Sequence, residues 1–348
     1  MMPEEWPIAA VAADRNATAR PAGSDRLATV RVDFFLDPAK RLSEQERALM
    51  TAMLHCLVGD IADELRAVLP NGWAPANDEG NLALIDELTS AGLLDQPVLM
   101  RLLLRRADEE RIATAAKGRS GRREARALQG LVSHEIGAIS AAAMALILSR
   151  GRRRDRFGQC LIAFDDLPIS TAEPLVHAIT AALRRDLAAA HDSAAADREL
   201  AAASARLLAA HDRARGIDSV TGALVRLLEE HGQLDDALIL AAGHEGEVAF
   251  VAEALAKRAG LSSESSIDEL LSGTPERVMA LFRMAGMKRE LAAGLLAGVG
   301  DLLGLTDPGQ AIGAFDRMTD QQVESARAWL GSPPSYRAAV ERLSTSHG

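Results

Sequence analysis

The chain has 348 residues and a formal net charge of −10, with 48% hydrophobic and 25% charged residues. This composition excludes an intrinsically disordered protein, and the length suffices for one large domain or two ordinary ones. No apolar run approaches the roughly 18 uncharged residues of a membrane helix, so we expect no membrane segment. Two cysteines, Cys56 and Cys160, exclude a disulfide framework and favour a soluble, cytoplasmic protein.

The choice of apolar residues favours helices. Ala and Leu dominate, whereas aromatic residues make up only 3% of the chain. Ala and Leu lose little conformational freedom in a helix, while strands usually draw on β-branched and aromatic residues. We therefore predict an all-α protein. The regular punctuation of its short helices, described below, predicts in addition a HEAT-like, α-solenoid-like array of short antiparallel helices.

The strongest element in the sequence is a long first helix. Residues 1–28 show no periodicity and are predicted to form a flexible N-terminal arm, followed by an N-terminal helical array over 29–190. The array opens at Ser43 and Glu46, whose S-x-x-E spacing fits a capping box, and the helix ends after about 27 residues, at 70–72. Its apolar residues recur at three- and four-residue steps, which predicts one buried stripe: Leu49, Met50, Met53, Leu54, Leu57, Val58, Ile61, Leu65, Val68 and Leu69.

Shorter helices are predicted next. Residues 81–94 and 97–116 form one expected antiparallel pair, 122–133 and 136–150 form a second, and 171–189 forms another amphipathic helix.

Two places in this half are less regular. Residues 157–167 could form a strand, but an isolated strand has nothing to pair with, so we predict a helix. A helix break is expected near Asp192 and Ser193, and a connecting helix over 191–215 marks the boundary between two regions.

Regular punctuation predicts a C-terminal array of short helices over 216–348. Glycines recur every 13 or 14 residues and are expected to end helices, because glycine accepts the left-handed conformation without strain. These glycines are Gly232, Gly246, Gly260, Gly273 and Gly286. Expected starts lie between or beyond them, at Ser265 with Asp268, at Thr274, at Asp307, and at Thr319 with Gln322.

Two stretches carry a family resemblance. One covers residues 92–100 and continues through 111–113 to 128–132; the other covers 232–238, 247–261 and 285–287. Together they resemble a family of uncharacterised bacterial proteins, catalogued as a domain of unknown function, with HEAT-like helices. The likeness runs from about residue 30 to the C-terminus. It implies an all-α, cytoplasmic, regulatory or scaffolding protein, and it brings no catalytic residues.

No pattern of catalytic or metal-binding residues is present. The eight histidines lack the H-E-x-x-H spacing of a zinc site, and adjacent His55 and Cys56 point about 100° apart on a helix. Residues 116–121 lack the order of a phosphate-binding loop. We therefore expect no metal, no cofactor and no enzyme activity, with the histidines as capping or partly buried residues. A hydrolase or transferase would require a polar cleft with a coupled pair such as His and Asp.

A basic stretch stands out in this acidic chain. Residues 101–156 contain fourteen Lys or Arg against six Asp or Glu. Cations also complement helix C-termini, so a solvated turn is the simpler interpretation. The alternative is a contact site for an acidic partner, with nine candidate residues: Lys117, Arg119, Arg122, Arg123, Arg150, Arg152, Arg153, Arg154 and Arg156.

These observations lead to one functional hypothesis and one alternative. We predict a non-enzymatic scaffold or regulatory protein that binds another protein through an acidic surface or an amphipathic helix of that partner. The alternative is a ligand-responsive regulator that binds a phosphate-bearing small molecule in a basic groove at the same arginines. A homodimer remains open. Nucleic acid is disfavoured, because the chain is acidic and the basic stretch offers only Phe157 for stacking.

Overall fold

The computed structural model of the chain describes residues 42–70, 73, 79–120, 127–271 and 274–345. The predicted arm over 1–28, Arg122, Arg123 and Gly273 lie outside the described residues. Residues Glu46–Gly348 form one compact unit. The division into two arrays joined over 191–215 stays a prediction.

The prediction of an all-α protein is confirmed for the part of the chain that the structure describes. This part contains sixteen α-helices, and none of them is long and apolar enough to cross a membrane. The first eight are α1 (Glu44–Ala67), α2 (Glu79–Ser90), α3 (Pro97–Ser120), α4 (Ala127–Gly130), α5 (Gly137–Arg152), α6 (Ile169–Ala190), α7 (Ser193–Ala210) and α8 (Ile217–Glu230). The other eight are α9 (Asp236–His244), α10 (Val248–Ala259), α11 (Ser263–Leu270), α12 (Pro275–Met284), α13 (Arg289–Leu295), α14 (Pro308–Arg317), α15 (Asp320–Leu330) and α16 (Pro334–Thr345).

Short 3-10 and π segments connect some of these helices. A π-helix over Leu296–Gly300 continues α13. The 3-10 turns lie at Leu131–Ser133, Phe164–Asp166, Arg213–Arg215 and Asp301–Leu303.

The predicted glycine stops are confirmed at four positions. Gly232, Gly246, Gly260 and Gly286 have φ angles between 66° and 75°, the left-handed region in which a side chain is strained. Each of these glycines follows a short helix, so the regularly spaced glycines mark the ends of helices.

The predicted helix starts are mostly correct. The carboxylate of Asp307 accepts a hydrogen bond from the Gln310 amide, and Thr319 and Gln322 form a capping box. The predicted start at Ser265 is wrong, because Ser265 lies inside α11 and donates its backbone N–H to the side chain of Ser262. The break near Asp192 is confirmed, and its side chain caps α7.

The predicted helix over 157–167 is wrong. This segment makes a tight turn in which the Leu161 amide donates to the Arg153 carbonyl (2.9 Å), and Arg154 and Cys160 form an isolated antiparallel bridge. Gly158, with φ +81°, turns the chain, while Asp155 Oδ1 accepts from the Phe157 and Gln159 amides. The turn satisfies its polar groups locally and leads into the 3-10 turn at Phe164–Asp166.

The core follows from the amphipathic pattern. α1 buries Met53, Leu57, Ile61 and Leu65 from the predicted stripe. A continuous cluster of buried apolar side chains runs from the C-terminal part of α3 through α5 and α8 to α15, with Phe250 and Phe282 among its largest members. The short helices thus bury their apolar faces against one another rather than alone.

Candidate functional site

Three of the nine predicted basic residues are paired with carboxylates from distant elements. Arg150 Nη2 lies 2.6 Å from Glu247 Oε2, which precedes α10. Arg154 Nη2 lies 2.6 Å from Glu110 Oε2 on α3. Arg119 Nη1 donates to Asp301 Oδ1 at 2.7 Å. These side chains therefore connect helices, and their charges are compensated within the protein.

Arg153 is buried and belongs to the interior. Its guanidinium donates to both carboxylate oxygens of Asp166, at 2.8 and 2.6 Å, in a bidentate pair. Asp166, only 1% exposed, also accepts from the amides of Ala163 and Ile217. We call Arg153, Asp166 and the start of α8 the buried junction.

The buried junction requires a glycine. A Cβ atom on Gly216 would lie 2.7 Å from the carbonyl oxygen of Asp165 and 3.1 Å from that of Arg213. Only a residue without a side chain lets α8 begin this close to the 3-10 turn at Phe164–Asp166. Tight backbone packing thus holds the Ile217 amide on the Asp166 carboxylate.

Arg152 and Arg156 are exposed, and neither has a carboxylate within 4 Å among the described residues. Met144, Leu148 and Arg152 lie four residues apart on one face of α5, and Met144 and Leu148 are 42% and 55% exposed. The turn that follows carries Phe157, which is 75% exposed and has the Arg156 guanidinium 4.8 Å above its ring. We call Met144, Leu148, Arg152, Arg156 and Phe157 the α5 surface.

The remaining predicted residues add little. Lys117 is exposed in the last turn of α3, and Arg122 and Arg123 lie outside the described residues. The structure therefore divides the predicted basic site into paired, buried and outward-facing arginines, a division that the sequence does not show.

A polar cleft of about 790 Å³ lies elsewhere on the molecule. Residues from α3, α8, α10 and α11 line it, together with the 3-10 turn that carries Arg213. This volume is typical of small-molecule sites. The enzyme alternative required a polar cleft with a His–Asp pair; the described residues that line this cleft include no histidine.

An ion-pair network lines part of the cleft. Asp218 at the start of α8 accepts from Arg105 and from Arg106, the latter at 2.6 Å, and Arg106 also donates to Glu109 at 2.6 Å. Burial by itself would raise the pKa of Asp218, but the guanidinium groups of Arg106 and Arg105 outweigh it and hold that pKa well below its usual range. At neutral pH this wall of the cleft is ionised and internally compensated.

Two further carboxylates in the cleft are half-buried without an ion pair among the described residues. Burial raises the pKa of Glu253, against a hydrogen bond from Ser263 that lowers it. Burial also raises the pKa of Asp268, with a smaller contribution from the charge of Glu264. Both carboxyls therefore lack full compensation of their charge and gain from a hydrogen-bond donor.

Cys160, His211 and His244 lie in surroundings that are typical of structural residues. Burial raises the pKa of the Cys160 thiol to about 11, so the thiolate is scarce at neutral pH. The rings of His211 and His244 contact backbone carbonyls of Leu167 and Gly294, at 3.0 and 2.9 Å. Within the described ranges, no group of three His, Cys, Asp or Glu residues could hold a metal ion.

Comparison with known proteins identifies one relationship. A family described as "uncharacterised protein conserved in bacteria (DUF2336)" matches residues 88–328, well over half of the chain. No curated protein and no solved structure matches the sequence.

Proposed function

The chain belongs to this family of uncharacterised bacterial proteins, and we propose that it is a non-enzymatic helical protein that binds another protein through the α5 surface. The observation that carries the proposal is that Arg152 and Arg156 face outward beside exposed Leu148 and Phe157. Exposed apolar side chains bordered by charge are a common feature of protein interfaces.

The chemistry of this surface favours one kind of partner. Met144, Leu148 and Arg152 repeat every four residues, so an α-helix packed along α5 would meet an apolar stripe that ends in positive charge. The complementary partner is an amphipathic helix with an apolar face and carboxylates at one end. Arginine and aromatic residues often supply most of the binding energy in such contacts.

The internal ion pairs favour Arg152 and Arg156 over the other predicted arginines as binding residues. Arg150, Arg153 and Arg154 already have carboxylate partners within the chain, and a ligand would have to displace them. The same pairing weakens the case for a phosphate-bearing ligand at these arginines. Arg152 and Arg156 can gain a partner without losing one.

Two further expectations, one about the helical arrangement and one about the cellular location, accompany the proposal. The helices α8–α15 are short and most of their turns are tight, which supports a degenerate HEAT-like array as the frame that presents α5. Two free cysteines support a cytoplasmic location.

The test uses the full chain as bait and charge reversal as the variable. We expect wild-type protein to retain a partner that the double variant Arg152→Glu/Arg156→Glu does not retain, because reversed charges repel the partner's carboxylates. The partner is then identified by mass spectrometry, purified, and titrated against both baits. A dissociation constant at least tenfold higher for the double variant, together with weakening at high salt, is the expected result.

A matched control separates a specific surface from general charge. Arg198 on α7 is also exposed, so Arg198→Glu reverses one charge elsewhere, is matched to each single variant, Arg152→Glu and Arg156→Glu, and should leave binding intact. Equal binding of the partner to wild type and the double variant would overturn the proposal. So would a partner whose contact segment lacks carboxylates, or concentration-dependent self-association through α5, which would indicate a second copy of the chain instead.

A further inference from the structure

Two cations that line the polar cleft take no part in its ion pairs among the described residues. Arg226 on α8 and Lys257 on α10 line the cleft, are exposed, and have no carboxylate within 4 Å in the described part of the chain. By contrast, Arg105 is paired with Asp218, and Arg101 lies 3.6 Å from Glu264.

Helix directions place Arg226 and Lys257 at the same end. Arg258, in the last turn of α10, donates to the Asp236 carboxylate (2.7 Å) and to the Leu234 carbonyl (2.8 Å). Leu234 and Asp236 lie four and six residues after the end of α8 at Glu230, so the C-terminal ends of α8 and α10 lie on the same side of the cleft. Arg226, one turn before the end of α8, and Lys257, in the last turn of α10, therefore project from neighbouring positions.

About one helical turn before these cations, Gly222 on α8 and Glu253 on α10 face each other. A Cβ atom on Gly222 would lie 3.1 Å from Glu253 Oε1, so the absence of a side chain at 222 lets the carboxyl group lie close to the backbone of α8. Gly222 and Glu253 each precede their cation by four residues, a distance of about 6 Å along a helix. Side chains of Ala249, Ala252 and Ile267 provide apolar surface around them.

The charge balance of the lining indicates what a ligand must supply. Glu109, Asp166 and Asp218 are compensated by Arg105, Arg106 and Arg153. Beyond these pairs, the lining includes Arg226 and Lys257, which have no carboxylate within 4 Å in the described part of the chain, and the half-buried carboxyls of Glu253 and Asp268. These two carboxyls are only partly compensated, Glu253 by Ser263 and the charge of Arg226, and Asp268 by the charges of Arg101, Arg105 and Arg337. A complementary molecule has an anionic group and a hydrogen-bond donor roughly one helical turn apart.

We propose that this cleft binds a small phosphate-bearing molecule that also carries an amino group, with the phosphate at Arg226 and Lys257 and the amino group at Glu253. The cations supply charge-assisted hydrogen bonds to phosphate oxygens. The carboxyl of Glu253 accepts from the amino group in addition to its hydrogen bond from Ser263, and a ligand that lacks this group leaves the half-buried carboxyl with Ser263 as its donor. This site is separate from the α5 surface and does not depend on the proposed partner binding.

The first experiment measures affinity by calorimetry on the full chain with one matched pair of probes. Phosphoethanolamine carries both groups, whereas ethyl phosphate lacks the amino group. We expect phosphoethanolamine to bind at least tenfold more tightly than ethyl phosphate and than inorganic phosphate. If it does not, the proposal is wrong.

Variants then assign the binding to the cleft. Arg226→Gln/Lys257→Gln should weaken the tight probe at least tenfold, with an unchanged melting temperature of the unliganded protein. Glu253→Gln should remove the preference within the pair. Arg198→Gln, at an exposed arginine on α7 that does not line the cleft, serves as the control and should bind like wild type. Undiminished binding by the double variant, or a preference that survives Glu253→Gln, would overturn the assignment.

Discussion

The buried junction and the α5 surface use neighbouring arginines in opposite ways. Arg153 is 9% exposed and held by both oxygens of Asp166, whereas Arg152, the preceding residue, is exposed with no carboxylate partner among the described residues. Consecutive residues at a helix end point in different directions, so one side chain enters the protein and the other meets solvent. One arginine of a basic run can therefore stabilise the fold while its neighbour remains available for binding.

The two sites also differ in how strongly the loss of a charged side chain affects the stability of the protein. In the buried junction, loss of either partner leaves a desolvated charge, and this penalty exceeds the net benefit of the pair. On the α5 surface, water solvates an arginine well, so its charge is available to a partner at little cost to stability. The predictions below test this contrast from its largest expected effect to its smallest.

Removal of Arg153 should have the largest effect. Arg153→Ala leaves the Asp166 carboxylate buried with only its two backbone donors, and we expect the free energy of unfolding to fall by about 3–5 kcal/mol. Urea denaturation followed by circular dichroism measures this loss, with Arg152→Ala as the matched control. A similar small effect for both variants would show that the two sites do not differ.

Gly216→Ala should destabilise the same junction by a smaller amount. The new Cβ would meet two backbone carbonyl oxygens, at 2.7 and 3.1 Å, and neither can move without shifting the start of α8. We expect a loss of about 1–3 kcal/mol in the free energy of unfolding.

Gly222→Ala is the control for that substitution. A Cβ atom at position 222 would lie nearest to the carboxyl of Glu253, which is the end of a flexible side chain. Alanine is also more favourable than glycine in a helix interior. This variant should be as stable as wild type or slightly more stable. A loss equal to that of Gly216→Ala would contradict the assignment of Gly216 to a tight backbone contact.

Acid should weaken the network at Asp218. The pKa of this carboxyl is lower in the folded protein than in the unfolded chain, so its stabilising effect is complete above the unfolded value, about 3.9, and declines as the pH falls through the folded value. A single carboxyl contributes at most about 1.4 kcal/mol per pH unit. Unfolding free energies measured between pH 6 and pH 2 should therefore fall more steeply for wild type than for Asp218→Asn.

Glu253 and Asp268 act in the opposite direction, because burial raises their pKa values. Both carboxyls are present in wild type and in Asp218→Asn, so their contribution to the free energy of unfolding cancels when the two pH profiles are compared. Parallel pH profiles for the two proteins would show that Asp218 does not account for the acid sensitivity.

Charge reversal on the α5 surface should have the smallest effect on folding. Arg152→Glu removes no ion pair among the described residues, and we expect the free energy of unfolding to change by less than about 0.5 kcal/mol. The same urea titration checks this. A loss of more than 2 kcal/mol would show that Arg152 supports the fold and would make it unsuitable as a binding probe.

Local patterns predicted most of the helices. The stripe of α1, the break at Asp192 and the turns at Gly232, Gly246 and Gly260 depend on residues within about one helical turn of one another. The segment 157–167 was predicted incorrectly, because its turn is organised by Gly158 and Asp155 and by the pairing of Arg153 with Asp166.

The candidate sites were predicted less completely. The basic run correctly drew attention to Arg152 and Arg156, but nothing in the sequence distinguishes them from Arg153 or Arg154. The cleft was missed, because its lining comes from segments as far apart as Arg101, Arg226 and Asp268. The spacing of Gly222 and Arg226 on α8, and of Glu253 and Lys257 on α10, was visible, yet the same spacing is common on solvated helices.

The sequence by itself determined that this protein is helical and where most of its helices begin and end, because periodicity, caps and left-handed glycines act over a few neighbouring residues. Only the tertiary structure decided which charges are available. The charge of a guanidinium is compensated when folding brings a carboxylate within hydrogen-bond distance, as it brings Asp166 to Arg153. The guanidinium stays available for a partner when folding leaves it in water, as at Arg152 and Arg226. That outcome depends on segments far apart in the chain, so it arises only when they pack together.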